Sequence, residues 1–166
     1  MQPVGPPHTI TCPGCGAMLP ARGLPPCDQY HASGECYELC MELSYYSLGK
    51  GDPDFIHQLV VDAYMAQHAG SVAKNIGPVF ALIGLCLVIE HGYTGRQVQL
   101  VHMKIPKQNW PALEPPRIPA AMTVQDVLKA ASDAEKDELI HAWVKYVWES
   151  WAHAHDWIRE LASRYQ

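Results

Sequence analysis

The chain of 166 residues carries little charge and no excess of basic residues. Charged side chains make up 17% of it, and its formal net charge is −5 at pH 7. A nucleic-acid-binding protein needs a basic surface that neutralises phosphates, so we expect no nucleic-acid partner. A bilayer-spanning helix needs roughly 20 apolar residues. The longest apolar stretch, residues 79–89, is much shorter, and we therefore expect no membrane insertion.

The first residues also lack the basic start and the apolar run of a secretory signal. The chain has six cysteines. In an exported protein this number would indicate a disulfide framework, whereas paired cysteines in a cytosolic protein more often bind metal. We therefore expect a cytoplasmic protein with reduced cysteines. Cys86 lies inside the apolar stretch and is predicted to be a core residue.

Proline, glycine and cysteine dominate residues 1–32, which hold too few aliphatic side chains to form a core. We predict that 1–32 is a metal-binding segment packed on a main helical domain, 33–166. Capping residues and helix-ending glycines divide that domain into helices. The predicted helices are 33–48, 52–68, 71–91, 97–103, 123–130 and 133–164. Pro78 removes a backbone donor inside the third helix, so a kink or break is expected at Ile76–Gly77.

The last predicted helix, 133–164, has the clearest pattern. Its apolar residues alternate spacings of four and three, which places them on one face. The preceding stretch, 93–122, contains five prolines and is predicted to be a mostly irregular connection. The sequence therefore predicts an all-α protein: a bundle of about five helices with an N-terminal zinc-knuckle-like segment and a long proline-rich connection before the last helices.

Four cysteines have the spacing of a metal site. The CPGCG motif at 12–16 is a tight turn that points two thiols at one ion. Cys36 and Cys40 are four residues apart on a predicted helix, so their sulfurs share one face. Zinc is bound by four such sulfurs in structural sites. The predicted zinc ligands are Cys12, Cys15, Cys36 and Cys40.

Two alternatives to this ligand set remain open. Cys27 lies between the two cysteine pairs and could take the fourth position, as could the nitrogen of His31. In the second alternative no metal is bound: Cys12 and Cys15 form a free or redox-active pair, and the helical cysteines are small core residues.

A second set of polar residues interrupts apolar helices. These candidates for chemistry are His57, Asp62, His68 and His155. One hypothesis is that they bind a second metal or act as acid and base. The other is that each is a core or boundary residue satisfied by a local hydrogen bond.

The sequence supports two classes of function. The first is a small zinc-stabilised binding or interaction module, with an unknown protein or small molecule as its partner; the low charge also makes a homodimer plausible. The alternative is a metal-dependent enzyme, a hydrolase or thiol-transferase-like protein, that uses a His/Asp cluster in the bundle core. An enzyme needs an open coordination position and a pocket, whereas a module needs only a closed site.

Several motifs together resemble an uncharacterised bacterial family, a domain of unknown function. They are CPGCGA at 12–17, HQLVVDAYMAQH at 57–68, LCLVIE at 85–90, LEPP at 113–116, TVQDV at 123–127 and the region 148–155. The resemblance covers nearly the whole chain and implies no activity.

The same resemblance also sorts the candidate residues. The family's recurrent positions correspond here to Cys12, Cys15, Cys36, His57, Asp62, His68 and His155. Cys27 and Cys40 do not match motif positions, which leaves room for a histidine to complete the metal site. Ala81 stands where the family often carries histidine, which implies that a metal site in the bundle core is incomplete in this chain.

Overall fold

The computed structural model describes residues 8–70 and 74–166. Helices make up most of these residues, and the prediction of an all-α protein is confirmed. Within the described ranges there are seven α-helices. Their bounds are α1 Gly34–Gly49, α2 His57–Gln67, α3 Ile76–His91, α4 Gly95–Lys104, α5 Val124–Leu128, α6 Asp133–Ser150 and α7 His155–Tyr165.

Helix α3 lies at the centre of the bundle and packs against α2, α4, α6 and α7. Its residues from Val79 to Leu87 are almost all buried, which suits the apolar sequence there. The start predicted at Ser71 lies outside the described residues. Because α3 begins at Ile76, Pro78 falls in its first turn, where an α-helix needs no backbone donor. The break expected at Ile76–Gly77 therefore coincides with the start of α3.

The single helix predicted over 133–164 is wrong, because a 3₁₀ turn at Ala152–Ala154 separates α6 from α7. The carbonyl of Trp148 accepts a hydrogen bond from Trp151 N (3.0 Å) and another from Nε2 of His155 (2.8 Å). The imidazole of His155 also stacks on the Trp148 indole, with ring centroids 3.9 Å apart. These contacts replace the continued α-helical hydrogen bonds, while Ile158 of α7 still reaches the core.

A short β-hairpin, for which the sequence has no clear strand pattern, precedes α1. Strands β1 (Thr9–Thr11) and β2 (Met18–Pro20) are antiparallel, with Ile10 opposite Leu19. The CPGCGA motif forms the turn between them. Past the hairpin, the carboxylate of Glu35 accepts a hydrogen bond from Arg22 N at 2.9 Å and so ties the chain to α1. The division into segments 1–32 and 33–166 stays a prediction.

The proline-rich connection was predicted over 93–122; after α4 the chain is irregular from 105 to 123 and crosses the outside of the bundle. Trp110 is buried within it, and the carbonyl of Met122 accepts a hydrogen bond from Gln67 Nε2 at 2.8 Å. The carbonyl of Glu114 accepts another from His153 Nε2. The segment is thus attached to the end of α2 and to the 3₁₀ turn. Among the described residues, every helix is too short or too polar to cross a bilayer.

Candidate metal centre

Three cysteines and one histidine converge where the hairpin meets α1 and α2. The ligand atoms of Cys12, Cys15, Cys36 and His68 all lie within 4.8 Å of one another. Cys12 and Cys15 come from the hairpin turn, Cys36 from the first turn of α1, and His68 from the residue after α2. All four are at most 3% exposed. Four sulfur and nitrogen donors at this separation form a set that can hold a metal ion.

Two glycines allow the turn to approach His68. Gly16 has a φ of 78°, a left-handed conformation that favours glycine. A Cβ on Gly14 would lie 2.2 Å from the carbonyl oxygen of His31 and 2.7 Å from Cδ2 of His68. Only a residue without a side chain fits this contact, and the CPGCG motif supplies it.

The start of α1 orients Cys36. The hydroxyl of Ser33 accepts a hydrogen bond from Cys36 N at 3.1 Å and caps the helix. This cap fixes the first turn, and the Sγ atom of Cys36 then lies 3.8 Å from Sγ of Cys15 and 3.4 Å from Nε2 of His68.

His68 is oriented by its own helix. Its Nδ1 lies 2.8 Å from the carbonyl oxygen of Tyr64 and donates to it, which leaves the lone pair of Nε2 directed at the cysteines. The Tyr64 ring stacks on the imidazole at 3.8 Å, and its hydroxyl donates to Sγ of Cys36. A backbone carbonyl behind a histidine ligand is the usual arrangement in metal sites, because it fixes the tautomer.

The close thiols change one another's acidity. Hydrogen bonds donated by Cys15 and Cys36 hold the pKa of Cys12 far below its ordinary value. The same contact with Cys12 raises the pKa of Cys15 to about 12, and hydrogen bonds to Cys12 and Cys15 also raise the pKa of Cys36. One of the three cysteines is therefore favoured as a thiolate. Deprotonation of the other two needs a compensating positive charge. A divalent cation would supply that charge.

The cluster differs from the predicted ligand set at one position. Cys12, Cys15 and Cys36 are brought together as expected, but His68 stands where we predicted Cys40. Cys40 lies one turn further along α1, where burial raises the pKa of its thiol to about 12 and Ser44 is its hydrogen-bonding neighbour.

The two alternatives for the fourth position also lie outside the cluster. Cys27 is partly buried, and His31 donates its backbone N–H to the carbonyl of His68 at 3.0 Å. The resemblance to the uncharacterised family placed His68 at a recurrent motif position. The spacing of the cysteines alone does not point to it.

The other three candidates for chemistry lie apart from one another. His57 Nδ1 is 2.8 Å from the hydroxyl of Ser47 on α1. Asp62 is buried beside α3, where it accepts a hydrogen bond from Gln58 at 2.9 Å and where burial raises its pKa well above the ordinary value. His155 stacks at the α6–α7 break. In the described part of the chain they share no metal-binding cluster.

A second group of possible ligands, Cys86, Glu90 and His91, lies at the end of α3. Its carboxylate is already engaged: Arg159 of α7 binds both oxygens of Glu90, at 2.9 and 3.0 Å from Nε, and this ion pair lowers the pKa of Glu90. Cys86 itself is fully buried, so its prediction as a core residue is confirmed. The group is best described as an ion pair that joins α3 to α7.

The protein is thus a small helical bundle with a buried Cys₃His cluster at its N-terminal hairpin. The chain belongs to a family of unknown function, DUF5946, which it matches over residues 10–152. The prediction that the chain belongs to an uncharacterised family is therefore confirmed. No curated protein and no solved structure matches the chain.

Proposed function

We propose that the chain is a zinc-binding interaction module, in which one Zn²⁺ ion holds the hairpin to α1 and α2. The convergence of four buried ligand atoms carries this proposal. With Zn–S near 2.3 Å and Zn–N near 2.05 Å, a tetrahedral ion separates two sulfurs by about 3.8 Å and a sulfur from a nitrogen by about 3.6 Å. The Cys15–Cys36 and Cys36–His68 distances are 3.8 and 3.4 Å.

A structural role fits this ion better than a catalytic one. Four protein ligands fill a tetrahedral zinc site, whereas a catalytic zinc keeps one position for water or substrate. All four residues are also shielded from solvent. The alternative of a hydrolase or thiol-transferase-like enzyme gains no support from the separate positions of His57, Asp62 and His155.

The same chemistry supports the expected compartment. Zinc binds cysteines as thiolates, so the three sulfurs have to stay reduced. The described cysteines are free thiols, including the three of the cluster. A reducing compartment such as the cytoplasm would preserve the site.

An exposed stripe on α1 supports the interaction role. Met41, Tyr45 and Leu48 are spaced by four and three residues and are 50%, 85% and 55% exposed. A second copy of the chain is the partner we propose, since the stripe carries no charge and only 17% of the residues are charged. Sedimentation should show a dimer that Tyr45→Lys dissociates; a monomer at all concentrations would remove this part of the proposal.

Metal content per chain tests the zinc site directly. Elemental mass spectrometry of protein purified without added metal should give one zinc per chain. Cys12→Ser and His68→Ala should remove it, because each deletes one of the four ligands. Cys40→Ser is the matched control, a buried cysteine on the same helix, and it should keep the zinc. Loss of zinc in Cys40→Ser, with retention in His68→Ala, would overturn the proposed ligand set.

A further inference from the structure

A cavity of about 450 Å³ lies beside the metal centre, between the hairpin turn and residues 115–120. Of the four residues of the Cys₃His cluster, Cys12 is the one that lines this cavity. Cys12 is only 1% exposed, so a reagent would reach it through the cavity and not directly from the surface. A water molecule takes up about 30 Å³ in the liquid, and the cavity therefore has room for a small oxidant.

Cys36 has different surroundings from Cys12. Its side chain is fully buried, and its Sγ atom accepts a hydrogen bond from the hydroxyl of Tyr64 at 3.5 Å. A hydrogen bond donated to a thiolate stabilises the electron pair with which the sulfur would attack, so the thiolate becomes a weaker nucleophile. Burial and the Tyr64 hydroxyl therefore both protect Cys36 from an oxidant.

Cys15 is the closest disulfide partner for Cys12 along the chain. Two residues separate the two cysteines, and their sulfurs lie within 4.8 Å of each other. Closing so short a loop costs little chain entropy. Cys12 N donates a hydrogen bond to the carbonyl of Ala17 at 2.8 Å, and Gly16 N donates one to the carbonyl of Cys12 at 2.9 Å. These backbone bonds keep the two cysteines side by side without the help of a metal.

We propose that the metal centre is a peroxide-sensitive switch, in which a small hydroperoxide oxidises Cys12 from the cavity and Cys15 then forms a disulfide with it. The inference rests on the zinc centre proposed above and adds a regulation to it. Both oxidised cysteines belong to the hairpin turn, while Cys36 and His68 belong to the helical part of the chain. Two remaining ligands are too few for a structural zinc site, so oxidation releases the ion and detaches the hairpin from α1 and α2.

The reaction takes place in two steps. In the first, the Cys12 thiolate attacks one oxygen of hydrogen peroxide, the O–O bond breaks, and the products are a sulfenic acid on Cys12 and hydroxide. In the second, the Cys15 thiolate attacks the sulfur of Cys12, an S–S bond forms, and the S–O bond breaks to release a second hydroxide. Two protons from solvent convert both hydroxides to water. The cysteines lose two electrons and the peroxide gains them.

Hydrogen peroxide added to the zinc-loaded protein tests this switch. The Cys27→Ser variant is the starting protein, because Cys27 is the most exposed of the described cysteines and lies outside the cluster. A chromogenic indicator follows the zinc, and peptide mass spectrometry locates sulfenic acid trapped with dimedone. One zinc per chain should be released, with the trap on Cys12 and, when dimedone is omitted, a disulfide between Cys12 and Cys15. Dithiothreitol followed by zinc should restore the site.

A pair of neighbouring alanines tests whether the oxidant enters through the cavity. Ala120 lines the cavity, whereas Ala121 lines an outer groove and not the cavity. Ala120→Phe should slow zinc release by peroxide about tenfold, the effect of about 1.4 kcal/mol on a barrier. Ala121→Phe is the matched control and should leave the rate unchanged. Zinc content and circular dichroism before oxidation check that both variants fold.

The outcomes separate the switch from the metal centre itself. Zinc that stays bound in peroxide, a first trap on Cys36, or equal release rates in the two phenylalanine variants would overturn the switch and leave the metal centre intact. The location of the trap needs neither phenylalanine variant, so it decides the matter even where one of them does not fold. A protein that holds no zinc before peroxide is added would overturn the metal centre, and the switch with it.

Discussion

Gly14 offers the most specific test of the metal centre, because it lies where the hairpin turn contacts His31 and His68. The Cβ of an alanine would lie 2.2 Å from the carbonyl oxygen of His31. Close carbon–oxygen contacts in proteins measure about 3.3 Å, so Gly14→Ala requires a displacement of about 1 Å. The obstacle is backbone, which cannot rotate away as a side chain could. The turn itself must therefore move.

That displacement exceeds the tolerance of a metal site. Metal–ligand distances in good sites stay within about 0.2 Å of their ideal values. A shift of about 1 Å would carry the sulfurs of Cys12 and Cys15 out of coordinating range. We expect Gly14→Ala to weaken zinc binding by more than about 100-fold, the upper end of losses caused by residues that support metal ligands.

Gly16→Ala is the matched control in the same turn. Its Cβ would meet no atom within 4 Å, but its φ of 78° places alanine in the left-handed region at a cost of about 1–2 kcal/mol. Strain of this size corresponds to a loss in zinc affinity of about tenfold. Gly16→Ala should therefore bind zinc far better than Gly14→Ala does.

Competition with a chromogenic chelator measures both affinities, and circular dichroism checks that each variant keeps its helices. The reasoning fails if Gly14→Ala binds zinc within tenfold of the wild type. Equal losses in the two alanine variants would also contradict this prediction, because they would assign the effect to turn strain and not to the contact with His31 and His68.

Three further predictions follow from the fold. Removing the zinc should lower the free energy of unfolding by about 4 kcal/mol, the linkage value for a ligand at 1,000 times its Kd; identical melting curves with and without chelator would refute this. Asp62→Asn should stabilise the protein more at pH 8 than at pH 5. Burial raises the pKa of Asp62, so the wild type loses stability as pH rises from about 3.9, the unfolded value, to the folded pKa. Urea unfolding at both pH values measures this, and an equal effect at the two would contradict it. His155→Ala should cost about 2 kcal/mol through the lost stacking and hydrogen bond with Trp148, with zinc content unchanged; zinc loss would instead place His155 at a metal.

The starts of α1 and α6 were predictable because their signals are local, whereas α2, predicted from 52, begins only at His57. Ser33 and Ser132 both accept the capping hydrogen bonds expected from their positions, at the starts of α1 and α6. The short helix predicted at 97–103 exists as α4, which begins earlier because Thr94 and Gln97 form a capping box.

The break between α6 and α7 had no such signal. Residues 151–154 contain neither proline nor glycine, and the apolar spacing continues through them. The break depends on the side chain of His155 folding back onto Trp148, seven residues earlier. The spacing of apolar residues shows which side chains face the core. It carries no information about this contact, so the break could not be predicted.

The fourth residue of the cluster also could not be predicted from cysteine spacing. Cys36 and Cys40 share one face of α1, but the cluster forms at the first turn of the helix, so only Cys36 takes part. His68 completes the cluster from 32 residues further along the chain. No local sequence pattern extends over that separation. The packing of α2 against α1 brings His68 to the cluster.

The position of the four donors along the chain has a consequence for how the protein assembles during its synthesis. All four lie between residues 12 and 68, and α3 to α7 follow them. At about 5–20 residues per second, the ribosome needs about 5–20 s to add residues 69–166. The complete donor set therefore exists seconds before the central helix does. A nascent chain that captures zinc in this interval would present the joined hairpin, α1 and α2 as a template on which the later helices fold.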